Sequence, residues 1–195
     1  MARGAWIAYA RIADIGARAL AAAREQLCRP DRTRYARFAT PRRRREFLAG
    51  RWLLAASHAC WSRGDRVGTS VSHSGGWVAV ALVERGVPGV DIEPMVARDF
   101  LKLGAWAFPA SDREPWPRAP RDPRRAFYGR WTRYEARLKG AKSSAYGERT
   151  WFVDGVALSA RLPRKVFLME GGPLRWRRRG GFAPATLKAG NYERR

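Results

Sequence analysis

Two stretches decide how the chain is expected to fold: Gly89-Val90-Asp91-Ile92-Glu93, and Phe127-Tyr128-Gly129-Arg130-Trp131-Thr132-Arg133-Tyr134-Glu135-Ala136-Arg137-Leu138-Lys139. In a strand, residues two apart share a face, so the first stretch points Asp91 and Glu93 one way and Val90 and Ile92 the other. That is a strand with an apolar side and a carboxylate side. In a helix, residues four apart share a face, so the second stretch stacks Trp131, Glu135 and Lys139 in one stripe. The chain therefore needs both helix and strand.

Working outward, Ala5 to Ile12 alternates as a strand, although aromatic and Ile residues fall on both of its faces. Ala17 to Leu27 has the composition of a helix closed by Pro30, and Asp31 to Phe38 adds a short helical turn. Thr40-Pro41 is an N-cap followed by proline at the first helical position, opening a long basic helix through about Trp61. Its expected buried face is Phe47, Leu48, Leu54, Ala55 and Trp61, and Gly50 inside it implies close packing or a ligand there. After a turn at Gly64 to Gly68, three short strands are expected at Thr69–His73, Trp77–Glu84 and Val87–Glu93, forming one small antiparallel sheet on the long helix. Val96 to Pro123 is broken by prolines into helical pieces near Phe100–Trp106 and Ser111–Trp116 and reads as a crossover. A second helix runs from Arg124 to about Ala145, and strand-like pieces follow at Thr150–Leu158, Lys165–Met169 and Leu174–Arg179.

The 195 residues carry a formal charge of +22, with only five lysines among the basic residues. Such a field calls for an anionic partner without choosing among nucleic acid, anionic lipid, a polyphosphate cofactor and an acidic protein. An Arg- and Ala-rich coding bias is a second source of the same charge. No apolar run reaches the roughly 18 residues a membrane span requires, and the N-terminus lacks the layout of a signal peptide, so a cytoplasmic protein is expected. Cys28 and Cys60 stand alone and fit neither a disulfide framework nor a zinc site.

Paired carboxylates on one strand face repel. Asp91 and Glu93 therefore call for a hard divalent cation such as magnesium, or else are solvated or paired with arginines. Taken alone, Glu135 and Lys139 read as an ordinary surface ion pair on a helix whose Trp131 is core. Val71-Ser72-His73-Ser74-Gly75-Gly76-Trp77 ends a strand with hydroxyls and an imidazole before a glycine turn, an edge that suits a phosphate. A Ser–His nucleophilic pair is set aside, because adjacent strand residues face opposite sides.

Taken in order, Ser-His-Ser, then Gly-Val-Asp-Ile-Glu, then Trp131 through Lys139, the chain resembles the phosphopantetheinyl transferase superfamily, in particular its Sfp-type branch. The resemblance runs over roughly residues 42 to 142. It departs from the family pattern at Tyr134, where the motif has lysine before its glutamate, and in lacking a Gly-Lys-Pro segment, in whose place stands Arg63-Gly64-Asp65-Arg66.

The resemblance implies two similar α+β lobes in a pseudo-twofold arrangement, residues 1–95 and 96–195, with the active site at their junction. It implies that Asp91, Glu93 and Glu135 hold Mg2+, with Glu135 also the general base. Lys139 would hold a phosphate of coenzyme A and share in catalysis; Ser72, His73 and Ser74 would meet its phosphates, and Arg45 and Arg51 its 3′-phosphate or adenine end. The implied reaction moves 4′-phosphopantetheine from coenzyme A to a serine of an acidic acyl or peptidyl carrier protein, by a monomeric enzyme. The alternatives are a noncatalytic relative that binds carrier or coenzyme A, and a basic nucleic-acid-binding protein.

Overall fold

The computed structural model describes residues 3–61, 67–108, 116–117, 120–164 and 166–170. The protein is α+β. Its elements are β1 (Arg3–Arg11), α1 (Ala17–Glu25), α2 (Arg29–Ala36), α3 (Pro41–Cys60), β2 (Gly68–Ser74), β3 (Trp77–Val83), β4 (Gly89–Pro94), α4 (Phe100–Ala107), α5 (Pro123–Lys139), β5 (Tyr146–Val153), β6 (Val156–Pro163) and β7 (Val166–Glu170), with a 3-10 turn at Ile12–Asp14.

The strands form two sheets, in the orders β2-β3-β1-β7 and β4-β6-β5, antiparallel except where β7 runs parallel to β1. Strand periodicity then builds the layers. Trp6, Ala8, Ala10, Val78, Val80 and Leu82 face α3, packing on Leu48, Ala49, Leu53 and Ala56. The opposite faces of the same strands, Ala5, Ile7, Tyr9, Ala79, Ala81 and Val83, meet Val90, Ile92, Val156, Leu158 and Leu162 of the second sheet. Beyond that sheet, Phe127 and Tyr128 of α5 close on Ala157 with Phe108. The result is four layers, α3, sheet, sheet, α5. β1 and β3 are covered on both faces, which explains the unbroken apolar runs and the aromatic residues on both sides of β1.

The helix starts follow their caps. Thr40 accepts from the Arg43 amide ahead of Pro41, Asp99 caps α4 from the Lys102 amide, and Asp122 caps α5 from the Arg125 amide ahead of Pro123. Among the described residues no helix is long and apolar enough to cross a membrane.

Several expectations are corrected. β4 does not extend the β2–β3 sheet; it pairs with β6, and β2 and β4 meet as neighbouring edges of different sheets. α5 ends at Lys139 rather than near Ala145, because Gly140 leaves the helix in an extended conformation, φ −93° and ψ 174°, and packs closely against Gly89, where an added Cβ would lie 3.0 Å from the Gly89 amide nitrogen. The strand expected over Thr150–Leu158 is a hairpin, β5 and β6, turned at Asp154-Gly155 with φ of 51° and 76°, the primed geometry that Asp-Gly favours. On α3 the innermost residues are Ala49, Leu53 and Ser57, with Ala56 beside them, while Leu54 is half-buried and Ala55 exposed. The helical piece at Ser111–Trp116, apart from Trp116, the strand at Leu174–Arg179, the turn at Gly64–Arg66, Arg63 before it and Lys165 lie outside the described residues.

Candidate functional site

The seam between the two sheets is where the predicted residues converge. β2 carries serine at every second position, so Ser70, Ser72 and Ser74 all point at β4. Each makes one bond across the seam. The Val90 amide donates to Ser70 Oγ at 3.1 Å, Ser72 Oγ donates to Asp91 Oδ1 at 2.8 Å, and Ser74 Oγ donates to Glu93 Oε2 at 2.6 Å. Two strand edges that would otherwise leave polar groups unpaired thus close on each other through side chains.

α5 adds the third wall. Gly89, the first residue of β4, allows this approach: a Cβ there would stand 1.9 Å from the Ala136 carbonyl oxygen. Thr132, fully buried, fixes the helix on the sheet through a 2.7 Å bond with Ser159 Oγ, which in turn meets Thr150 Oγ1 at 2.8 Å. With α5 held there, Lys139 Nζ reaches Asp91 Oδ1 at 2.6 Å and Ser72 Oγ at 3.1 Å. So Asp91 pairs with a lysine from another element, neither solvated nor matched to an arginine. Lys139 spends its charge on Asp91 instead of on Glu135 one turn earlier.

Asp91 is 4% exposed, and its second oxygen, Oδ2, is buried with no hydrogen-bond partner. Glu93 is half-buried; burial, opposed by the Ser74 hydroxyl and reinforced by the charges of Asp91 and Glu135, holds its carboxyl above the ordinary range. Glu135 is therefore near enough for its charge to be felt at Glu93. Among the described residues no three His, Cys, Asp or Glu side chains form a ready-made metal cage. The donor set still suits a hard cation: an orphaned carboxylate oxygen on Asp91, and a second carboxylate, Glu93, whose charged form burial and the neighbouring acids disfavour.

His73 sits on the other face of β2 from Ser72 and Ser74. Its Nδ1 lies 3.5 Å from Glu46 Oε2, and burial lowers its pKa against the pull of Glu46, with Arg43 and Lys139 lowering it further. Glu46 is a functional candidate that sequence reasoning passed over. It is 6% exposed and held by Arg42 at 3.0 Å and Arg43 at 3.3 Å, so the long helix brings a buried acid against the imidazole. The only sequence signal was one acid inside an arginine run. Gly50, one turn further along α3, permits the close contact expected of it: a Cβ there would be 3.0 Å from Val71 Cγ1.

Arg45 and Arg51 direct their bonds elsewhere. Arg45 Nη2 donates to the Ile12 carbonyl at 3.3 Å. Arg51 pairs with Asp31 at 2.7 Å, lies over the Phe47 ring, and lines a cavity of about 960 Å³ between α1 and α3. Tyr134, where the family motif has lysine, is exposed and leans on Trp131 with ring centroids 6.2 Å apart. Beyond α5, Arg161 donates to the carbonyls of Ala141 and Ser143 and to Glu148, fixing the exit of the helix.

The chain matches no protein-family model and no curated protein.

Proposed function

We propose that the protein is a magnesium-dependent phosphopantetheinyl transferase with the two-lobed, pseudo-twofold architecture of the Sfp-type enzymes. The observation that carries this reading is the meeting, at one seam, of Ser72 and Ser74 from β2, Asp91 and Glu93 from β4, and Lys139 from α5, with Glu135 alongside. Those are the residues whose order in the chain carries the resemblance. Further support comes from the layering: α3 packs on one sheet and α5 on the other, and the acids lie where the two sheets meet.

Asp91, Glu93 and Glu135 are the residues that would hold Mg2+, which when bound neutralises the charge on transferring phosphoryl oxygens. Lys139 brings a further positive charge to the same place, and Ser72 and Ser74 fix the orientation of the two strand carboxylates. In the proposed reaction Glu135 accepts the proton of the carrier serine hydroxyl. The serine oxygen then bonds to the β-phosphorus of coenzyme A, the pyrophosphate P–O bond breaks, and 3′,5′-adenosine bisphosphate leaves with the electron pair. His73, held at Nδ1 by Glu46, donates from its remaining ring nitrogen to a phosphate oxygen only as the doubly protonated imidazolium, a form that burial opposes and Glu46 favours. The strongly basic surface suits an acidic acyl or peptidyl carrier protein as acceptor.

The test is the intact mass of an apo carrier protein after incubation with the protein, coenzyme A and magnesium. A gain of one phosphopantetheine unit, absent with EDTA and absent in Asp91→Ala and Glu135→Gln, is the expected result. No gain on fatty-acid, polyketide or peptide carriers with a folded protein overturns the reading.

A further inference from the structure

Helix α2 contributes little to the core. None of its eight residues is buried, and Tyr35, half-buried against Phe47, is its main hold on the core. A helix that is polar all round owes its sequence to something other than the core. Between residues 29 and 45, which span α2 and the first turn of α3, stand eight arginines, every one exposed. Of the acids in and next to that span, Asp31 is spent on Arg51, and the buried Glu46 holds Arg42 and Arg43, leaving the other six without an acidic side-chain partner among the described residues. A coding bias toward arginine acts on the whole chain and does not account for this local density.

These guanidiniums are partly fixed. Arg32 Nε is anchored on the Leu27 carbonyl at 2.7 Å, Arg44 Nε on the Phe38 carbonyl at 2.8 Å, and Arg45 on Ile12, while Arg24 and Arg44 lie over the Tyr35 ring. Each anchor uses one nitrogen and leaves the others of the fork outward, the arrangement that meets phosphate oxygens in pairs. The N-terminus of the 20-residue α3 adds its own positive end to the same patch. What the patch lacks is equally informative. The large hydrophobic side chains exposed among the described residues all lie at Val87 or beyond, so none is in it. A stable protein interface is built around an apolar centre, and stable membrane anchoring adds an apolar anchor to a basic patch. A nucleic-acid backbone requires only charge and hydrogen-bond donors.

We infer that the α2–α3 arginine face binds the phosphate backbone of nucleic acid without regard to sequence, an activity separate from the proposed transfer reaction. The test is fluorescence anisotropy of a 30-base-pair DNA duplex of arbitrary sequence, titrated with the full chain between 50 and 300 mM salt. Binding is expected to weaken steeply and linearly in log–log form, by about one unit of slope per arginine engaged. Replacing Arg29, Arg34 and Arg37 together by glutamine should lower that slope by about three and weaken binding at least tenfold at 150 mM salt. The control variant removes as many charges elsewhere, at the exposed Arg85, Arg98 and Arg121, and should change the slope by less than one unit. Equal losses in both variants would make the binding a property of net charge and overturn the inference. Displacement of the duplex by saturating coenzyme A would overturn it too, assigning the face to a cofactor phosphate. So would stronger binding to polyglutamate or to vesicles containing anionic lipid. Transfer to carrier by the α2 variant is a separate readout, so a protein that binds duplex but transfers nothing refutes only the transferase reading.

Discussion

Replacing Lys139 by methionine should destabilise the protein more than replacing its partner Asp91 by asparagine, because the two ends of this ion pair are unequally buried. The Asp91 side chain is 6% exposed and that of Lys139 33%. Lys139→Met keeps the length of the stem and deletes the ammonium. Asp91 then keeps a charge deep in the seam with one remaining hydrogen bond, from Ser72, and with Oδ2 still unpaired. Breaking a buried pair from the side that leaves a charge stranded costs about 3–5 kcal/mol. The partial access of water to Lys139 argues for the low end, about 3 kcal/mol, or a fall of roughly 6–12 °C in Tm. Asp91→Asn keeps an acceptor for Ser72 and lets the lysine turn to water, so about 1 kcal/mol is expected. The double variant should cost less than the sum of the singles by about 2 kcal/mol, since it strands nothing. Urea unfolding of the four proteins in EDTA reads all three numbers. An Asp91→Asn penalty equal to or above that of Lys139→Met, or singles that add, would refute the geometry on which the site is built.

Gly89→Ala should disrupt the seam through sterics alone, since its Cβ would fall 1.9 Å from the Ala136 carbonyl and 2.8 Å from the Gly140 nitrogen. A loss of about 2–3 kcal/mol, with loss of transfer activity as α5 moves off β4, is expected from urea unfolding and the carrier assay. Glu93 has a folded pKa raised above its unfolded value of 4.5, so its contribution favours the fold below 4.5 and declines as pH rises through the raised value. Glu93→Gln, which still accepts from Ser74, should therefore be more stable than the parent at pH 7 and equal to it near pH 4, by thermal melts across that range. Glu148 runs the opposite way: burial raises its pKa, but hydrogen bonds and charge from Arg137 and Arg161 outweigh that and hold it below 4.5. Glu148→Gln should thus lose stability above pH 4.5, with the difference closing as pH falls through the depressed value. In Thr132→Val the buried Ser159 hydroxyl keeps Thr150 as a partner, so a loss of about 1 kcal/mol is expected by urea unfolding.

The local chemistry of the site was legible in the sequence because periodicity is a local property. The two-residue period of β4 placed Asp91 and Glu93 together, the four-residue interval of α5 aligned Glu135 with Lys139, and Thr40-Pro41 announced α3. Pairing across long separations was not legible. β3 and β4 are joined by the five residues 84–88, in which Arg85-Gly86 looks in sequence like a hairpin turn; only the apolar face of Val90 and Ile92, buried against β1 and β3 as a second layer, requires β4 to leave that sheet. A turn signal that could have been used, Asp154-Gly155, was absorbed into one long strand because Val153 and Val156 flank it with β-formers.

The same distinction explains why Ser72, His73 and Ser74 do not act as one unit. Adjacent strand residues must diverge, so two hydroxyls go to the acids of β4 and the imidazole goes to Glu46 on α3. Ser70, passed over in the sequence, belongs to the row by period alone, and its bond to the Val90 amide sets the register from which the other two follow. The seam is therefore specified twice: by the serine row of β2, and by Gly89 admitting α5 against β4. A site assembled from two strand edges and one helix end depends on both conditions. Loss of either should separate Lys139 from Asp91 while leaving each sheet's own core intact.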